Sequence, residues 1–104
     1  MIYMKQNRKI FYYAAYDISK NSIRSKIIVI LRKYGMDRVQ KSLFCGFLNS
    51  QSIKDLKDEI KINIEMGDSL YLIPTSKKLM EKVVIIGKGF DKDYIFERKT
   101  GDII

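Results

Sequence analysis

The sequence predicts a small α+β sandwich: an antiparallel sheet carrying two helices on one face. Three observations lead there. Two stretches repeat apolar residues at helical spacing. Several others are short apolar runs, rich in aromatic and β-branched residues and bounded by Gly, Pro or Ser. Both kinds share a chain of 104 residues, the size of one domain, whose 46% hydrophobic content can fill a single core.

Residues 9–18, "KIFYYAAYDI", read as a strand, because aromatic and β-branched residues dominate and no breaker interrupts them. Ile10, Tyr12, Ala14, Tyr16 and Ile18 would share one face, and Phe11, Tyr13, Ala15 and Asp17 the other. Both faces are largely apolar, as in a central strand covered on both sides. Residues 20–34 read as a helix with Ile23, Ile27, Ile30, Leu31 and Tyr34 on its stripe. Ser19 or Ser22 would cap its start and Gly35 would supply a left-handed stop.

Residues 38–48, "RVQKSLFCGFL", read as the second strand, with Gly46 marking a bulge or a close backbone approach. Residues 52–65 read as the second helix, with Ser52 and Asp55 as a capping box, Ile53, Leu56, Ile60 and Ile64 as its stripe, and Gly67 beyond its end. "SLYLI" at 69–73 is a third strand, closed by Pro74, and "VVIIG" at 83–87 a fourth; "KKLMEK" between them suits a short helical turn. The order is then β-α-β-α-β-β. It becomes β-α-β-β-α-β if 38–48 splits or bends sharply near Cys45 and Gly46. A ferredoxin-like sandwich fits either order. Residues 1–89 form that domain, and 90–104 form a C-terminal segment with one strand-like run, "YIFER". That run either pairs with the edge of a partner subunit or is a loose tail.

Composition narrows the function. The longest apolar runs fall far short of the roughly 20 residues a spanning helix needs. The start, "MIYMKQNRK", turns basic before any apolar core, unlike a secretory signal. A single cysteine, Cys45, allows no internal disulfide and suits a reducing cytoplasm, where it serves as a small apolar filler. The chain has no histidine, which removes Ser-His and Cys-His dyads and His-type zinc sites. Hydrolysis would have to use carboxylate, lysine, tyrosine or metal-bound water.

The net charge of +8 is segregated: residues 1–41 hold ten Lys/Arg against Asp17 and Asp37, whereas 42–104 hold ten against ten acids. Clustered cations favour a polyanion, because phosphate releases condensed counterions on binding. Nucleic acid is the expected partner, with acidic lipid or acidic protein as the other options.

Asp17 stands out as a bare carboxylate ending an apolar strand inside this basic region. It could cap the helix that follows. It could instead hold a hard cation such as Mg²⁺, which takes carboxylate oxygen and keeps several waters, and a twofold axis would set a second Asp17 opposite. Arg24, Lys26, Arg32, Lys33, Arg38 and Lys41 are in part a solvated face, but Arg24 and Arg38 carry the planar fork that grips phosphate. Phe44 and Phe47 are core residues or base-stacking platforms. "GKG" at 87–89 lacks the helix and the Lys-Ser/Thr ending of a phosphate loop and reads as a turn, as does Asp68.

Together, "YAAYDIS", the arginine seven residues after its aspartate, "RKYG", "RVQKSLFCGFL", "GDSLYLIP" and "VVIIGKG" resemble one family. It is the small universal CRISPR-associated endoribonuclease family of spacer acquisition, the second-numbered Cas protein. The resemblance runs from about Lys9 to Gly89. It implies a ferredoxin-like homodimer with its two sheets facing. It also implies one Mg²⁺ shared across the interface by the catalytic Asp17, and nucleic-acid contacts from Tyr16, Arg24, Arg38, Ser42 and Phe44. Lys26 falls where a second arginine often stands. The resemblance further implies that 38–48 is one long strand, straight or bent, with the later β segments completing the sheet and "YIFER" reaching the partner.

Two functions follow from that resemblance: a Mg²⁺-dependent endonuclease on RNA or duplex DNA, and an adaptor bridging two copies of the first-numbered Cas integrase along captured DNA; the adaptor is the favoured role, with the nuclease activity left open beside it. The expected setting is the cytoplasm, with no membrane contact. The alternative is a ribonuclease toxin of the virulence-associated D type, which shares the fold and a similar first strand.

Overall fold

The computed structural model describes residues 8–89. The expectations for 90–104, including "YIFER", lie outside them. Four strands form one antiparallel sheet: β1 (Ile10–Asp17), β2 (Asp37–Gln40), β3 (Leu43–Leu48) and β4 (Ser69–Thr75), in spatial order β2-β3-β1-β4. Helices α1 (Asn21–Lys33) and α2 (Ser50–Asn63) cover one face, and the short α3 (Lys77–Met80) follows β4. The element order through β4 is β-α-β-β-α-β, the ferredoxin-like sandwich.

Two strand expectations are corrected. Residues 38–48 are not one bent strand but a hairpin, β2 and β3, turning at Lys41 and Ser42. The break falls before Leu43 rather than near Cys45. Lys41 and Ser42 are polar and exposed, so they can face water in a turn, whereas Leu43–Leu48 is apolar and stays in the sheet. Residues 83–87 form no strand. They leave α3 without pairing with either edge strand, and Val84 and Ile86 are 81% and 93% exposed.

The side-chain alternation of β1 divides the core. Ala14 and Tyr16 pack with Ile23, Ile27, Ile30 and Leu31 of α1, Phe44 and Leu48 of β3, and Leu56 and Ile60 of α2. Phe11 packs on the opposite face with Cys45 and Met80, flanked by Tyr13, Val39, Phe47 and Val83. The Tyr13 hydroxyl donates to the Met80 sulfur at 2.6 Å, pinning α3 to this second face. That face is covered only in part: Tyr71 and Ile73 of β4 remain 63% and 45% exposed. They sit in register with Ala15 and Tyr13 of β1.

Helix ends depart from the expected caps. Residue Lys20 caps α1 and offers no side-chain hydrogen bond, so neither Ser19 nor Ser22 fills that role. The cap of α2 is Asn49, whose side chain accepts from Ser52 N at 2.8 Å, in place of the Ser52–Asp55 box; Asp55 instead accepts from Gln51. An asparagine is as good a cap as serine, and it begins the helix two residues earlier. Gly35 takes the left-handed stop after α1, at φ 81°. Gly46 marks a close approach: a Cβ there would lie 3.0 Å from both Gly35 O and Met36 Cα. The sheet irregularity sits elsewhere, between Arg38 and Gln40.

Candidate nucleic-acid and metal site

The C-terminal end of β1 meets the N-terminal end of α1 and the β2–β3 turn around a cleft of about 600 Å³. Tyr16, Asp17, Arg24, Arg38, Lys41 and Ser42 line it. Five of the residues singled out from sequence thus meet there: Tyr16, Asp17, Arg24, Arg38 and Ser42.

Each is held by local structure. Tyr16 is buried, its hydroxyl donates to Lys41 O at 2.9 Å, and its backbone N–H donates to Ser42 O at 3.1 Å. Arg38 donates to the same Lys41 carbonyl at 2.9 Å, and its guanidinium lies 6.0 Å from the centre of the Phe44 ring. Arg24 folds back over the β1–α1 loop, donating to Ile18 O at 2.6 Å, to Ser19 O at 2.9 Å and to the Asn21 side chain. Its carbonyl contacts leave part of a five-donor fork for the cleft.

Two residues singled out from sequence lie apart. Phe44 is fully buried, with its ring 6.3 Å from that of Tyr16. It supports Tyr16 and Arg38 from beneath. Lys26 lines a neighbouring groove between α1 and α2, with Lys33 and Glu59. In that groove Glu59 accepts from Lys33 at 2.6 Å and from the Tyr34 hydroxyl. The Lys33 ammonium, and then the Tyr34 hydroxyl, hold the Glu59 carboxyl below its usual range. The Glu59 hydrogen bond pushes Tyr34 up to about 12.

Asp17 is exposed and ends β1 opposite Ser69. Alternation along β1 sets it with Phe11, Tyr13 and Ala15, on the sheet face that the two long helices leave open. It does not cap α1. The described residues contain no cluster of three or more His, Cys, Asp or Glu side chains. Asp17 is the one carboxylate among the described residues that line the cleft. That donor suits Mg²⁺, which is held by one or two carboxylates with waters completing its shell.

The sequence reading missed the scaffold around these groups. Asn21 and the Lys41 carbonyl carry no pattern that marks them. Asp68, read as a turn residue, reaches across to the β1–α1 loop and accepts from Ser19 N at 3.3 Å.

Residues 10–83 match the family model described as CRISPR associated protein Cas2. The chain belongs to the Cas2 family. A relative from Pyrobaculum aerophilum, CRISPR-associated endoribonuclease Cas2 2, is 36% identical over 74 residues, covering 70% of this chain and 81% of the relative. A Cas1/Cas2 fusion from Thermoproteus tenax is 40% identical over 45 residues, 43% of this chain and 17% of the fusion. Streptococcus pyogenes Cas2 superposes with a TM-score of 0.67 at 20% identity, over 75% of this chain and all of that one, which shows a shared fold. The toxin alternative gains no support from these relatives. No helix among the described residues of this Cas2 family member is long and apolar enough to cross a membrane.

Proposed function

We propose that this Cas2 family member acts in the cytoplasm in CRISPR spacer acquisition, as a homodimeric nucleic-acid-binding adaptor for the Cas1 integrase. We further propose that it carries Mg²⁺-dependent endonuclease activity on RNA or duplex DNA. The observation that carries this reading is the joining of Asp17, Arg24, Arg38 and Lys41 around one cleft.

Arg38 is exposed, and its guanidinium gives one hydrogen bond to the Lys41 carbonyl, so donors remain for a phosphate. Lys41 adds a point charge beside it. Asp17 would hold the ion, which when bound supplies a polarised water and neutralises charge on a phosphodiester. Tyr16 positions the turn that presents Lys41 and Ser42.

Two features support the homodimer. The sheet face that carries Asp17 keeps exposed Tyr71 and Ile73, an apolar surface suited to a second copy. The strand-forming sequence Val84–Ile86 is exposed and lies outside the sheet. Apposed sheet faces would bring two Asp17 side chains toward one ion. Association with Cas1 rests on the Thermoproteus tenax relative, in which the two proteins are one chain.

The test pairs two assays on Asp17→Asn. The variant should remain dimeric and lose Mg²⁺-dependent cleavage. Full cleavage by a dimeric Asp17→Asn would remove the metal mechanism. Co-purification of the wild-type chain with Cas1, and loss of spacer acquisition in cells lacking this chain, would support the adaptor role. A chain that neither binds Cas1 nor affects acquisition would contradict it.

A further inference from the structure

The residue that follows the strand-one turn, Ser19, is held at both ends of its backbone by charged side chains. Its N–H donates to Asp68 Oδ1 at 3.3 Å, and its carbonyl accepts from Arg24 at 2.9 Å. An acid therefore sits on the donor side and a cation on the acceptor side, each matching the partial charge it meets. Asp68 is itself fixed, because its Oδ2 accepts from Glu65 N at 2.9 Å. Lys20, next in the same loop, forms an ion pair with Glu65 at 2.9 Å. The sheet register aligns these pieces, since Asp17 faces Ser69.

The loop after Asp17 is thus tied to the loop before β4 by two contacts, Ser19 to Asp68 and Lys20 to Glu65, and the Asp68 carboxylate that makes the first is braced within its own loop by Glu65 N. An untied strand end frays, and the last side chain of the strand would sample several directions. We propose that Asp68 is a positioning residue: by holding Ser19 it sets the direction in which the Asp17 carboxylate leaves the sheet. Asp68 touches neither metal nor nucleic acid in this role. The inference rests on the reading of Asp17 as the Mg²⁺ ligand.

Asp68→Ala removes both acceptors. Asp68→Asn keeps one carboxamide oxygen, which can serve one of the two N–H groups. The full-length dimer should be titrated calorimetrically with Mg²⁺, and its affinity for a random-sequence DNA duplex measured in EDTA. Asp68→Ala should weaken Mg²⁺ binding at least tenfold, and Asp68→Asn should recover part of that loss. Duplex affinity in EDTA should stay within twofold of wild type for both. A general structural lesion would weaken both ligands together, and that outcome overturns the proposal. So does Mg²⁺ affinity in Asp68→Ala within twofold of wild type.

Should wild type show no Mg²⁺ binding that Asp17→Asn abolishes, the metal reading has failed on its own. Positioning is then decided by the carboxyl carbon resonance of Asp17. A change of that resonance in Asp68→Ala, alongside the Ser19 amide, sustains it. An Asp17 resonance identical to wild type overturns it.

Discussion

The Tyr16 hydroxyl and the Arg38 guanidinium converge on one acceptor, the carbonyl of Lys41, each at 2.9 Å. The first donor comes from the central strand beneath the turn and the second from within the hairpin. Together with the Tyr16 N–H bond to Ser42 O, these donors fasten the turn to the core. Lys41 and Ser42 are presented on a rigid base rather than on a loose tip.

Tyr16→Phe keeps the buried ring and removes the donor. It should destabilise the fold by about 1 kcal/mol, the ordinary net worth of a part-buried hydrogen bond. Urea denaturation measures this. Fold stability equal to wild type would show that the Tyr16 hydroxyl adds nothing to the hold of Arg38 and of the Tyr16 N–H on the turn.

Arg38→Ala should weaken nucleic-acid binding and lower the slope of log affinity against log salt by about one, as for loss of one phosphate contact. Arg38→Lys should retain most of the slope while losing part of the affinity, because a lysine keeps the charge and not the fork. Filter binding over a salt series reads both quantities.

Gly46→Ala should destabilise the protein by roughly 1–3 kcal/mol, the usual cost of forced overpacking. The added methyl would press on Gly35 O and Met36 Cα, both backbone atoms with little room to yield. Thermal melting of the two proteins side by side tests it, and an unchanged midpoint would contradict the close approach.

The Lys33–Glu59–Tyr34 cluster gives stability a defined pH dependence. Glu59 has a depressed carboxyl, so its contribution is present above the unfolded carboxyl range and is lost as pH falls through the folded value. Tyr34 has a raised hydroxyl, so its contribution is full below 10.0 and is lost as pH rises toward about 12. Burial also raises Tyr13, so phenolate absorbance should show Tyr34 titrating late alongside it, and Glu59→Gln should bring the Tyr34 titration back down. A late-titrating population unchanged by Glu59→Gln would contradict the Glu59–Tyr34 coupling.

Much of this architecture was legible in the residues. The helical stripes survive intact: Ile23, Ile27, Ile30 and Leu31 are buried in α1, as are Leu56 and Ile60 in α2. Period 3.6 repeats over a dozen residues are strong signals, and the tertiary structure had no reason to override them. The hairpin was less legible, because Gln40, Lys41 and Ser42 lack the Gly and Asn that advertise a tight turn. The run Val83–Gly87 has strand composition, yet composition cannot supply a neighbouring edge.

The site divides the same way. Asp17, Arg24 and Arg38 were visible as charges in an apolar or basic context. Arg24 also proved to be a backbone clamp, a role fixed by where Ile18 and Ser19 turn their carbonyls. Asp68 was hidden because its partner Ser19 lies far away in sequence, and no local pattern encodes that contact.

The central claim is that paired Asp17 carboxylates share one Mg²⁺ in a dimer. Calorimetric titration of metal-free protein with Mg²⁺, with its mass in solution measured in parallel, tests that claim most directly. A dimer binding one ion per two chains, with no binding by a dimeric Asp17→Asn, is the predicted result. A monomer, or binding that survives intact in Asp17→Asn, would contradict it.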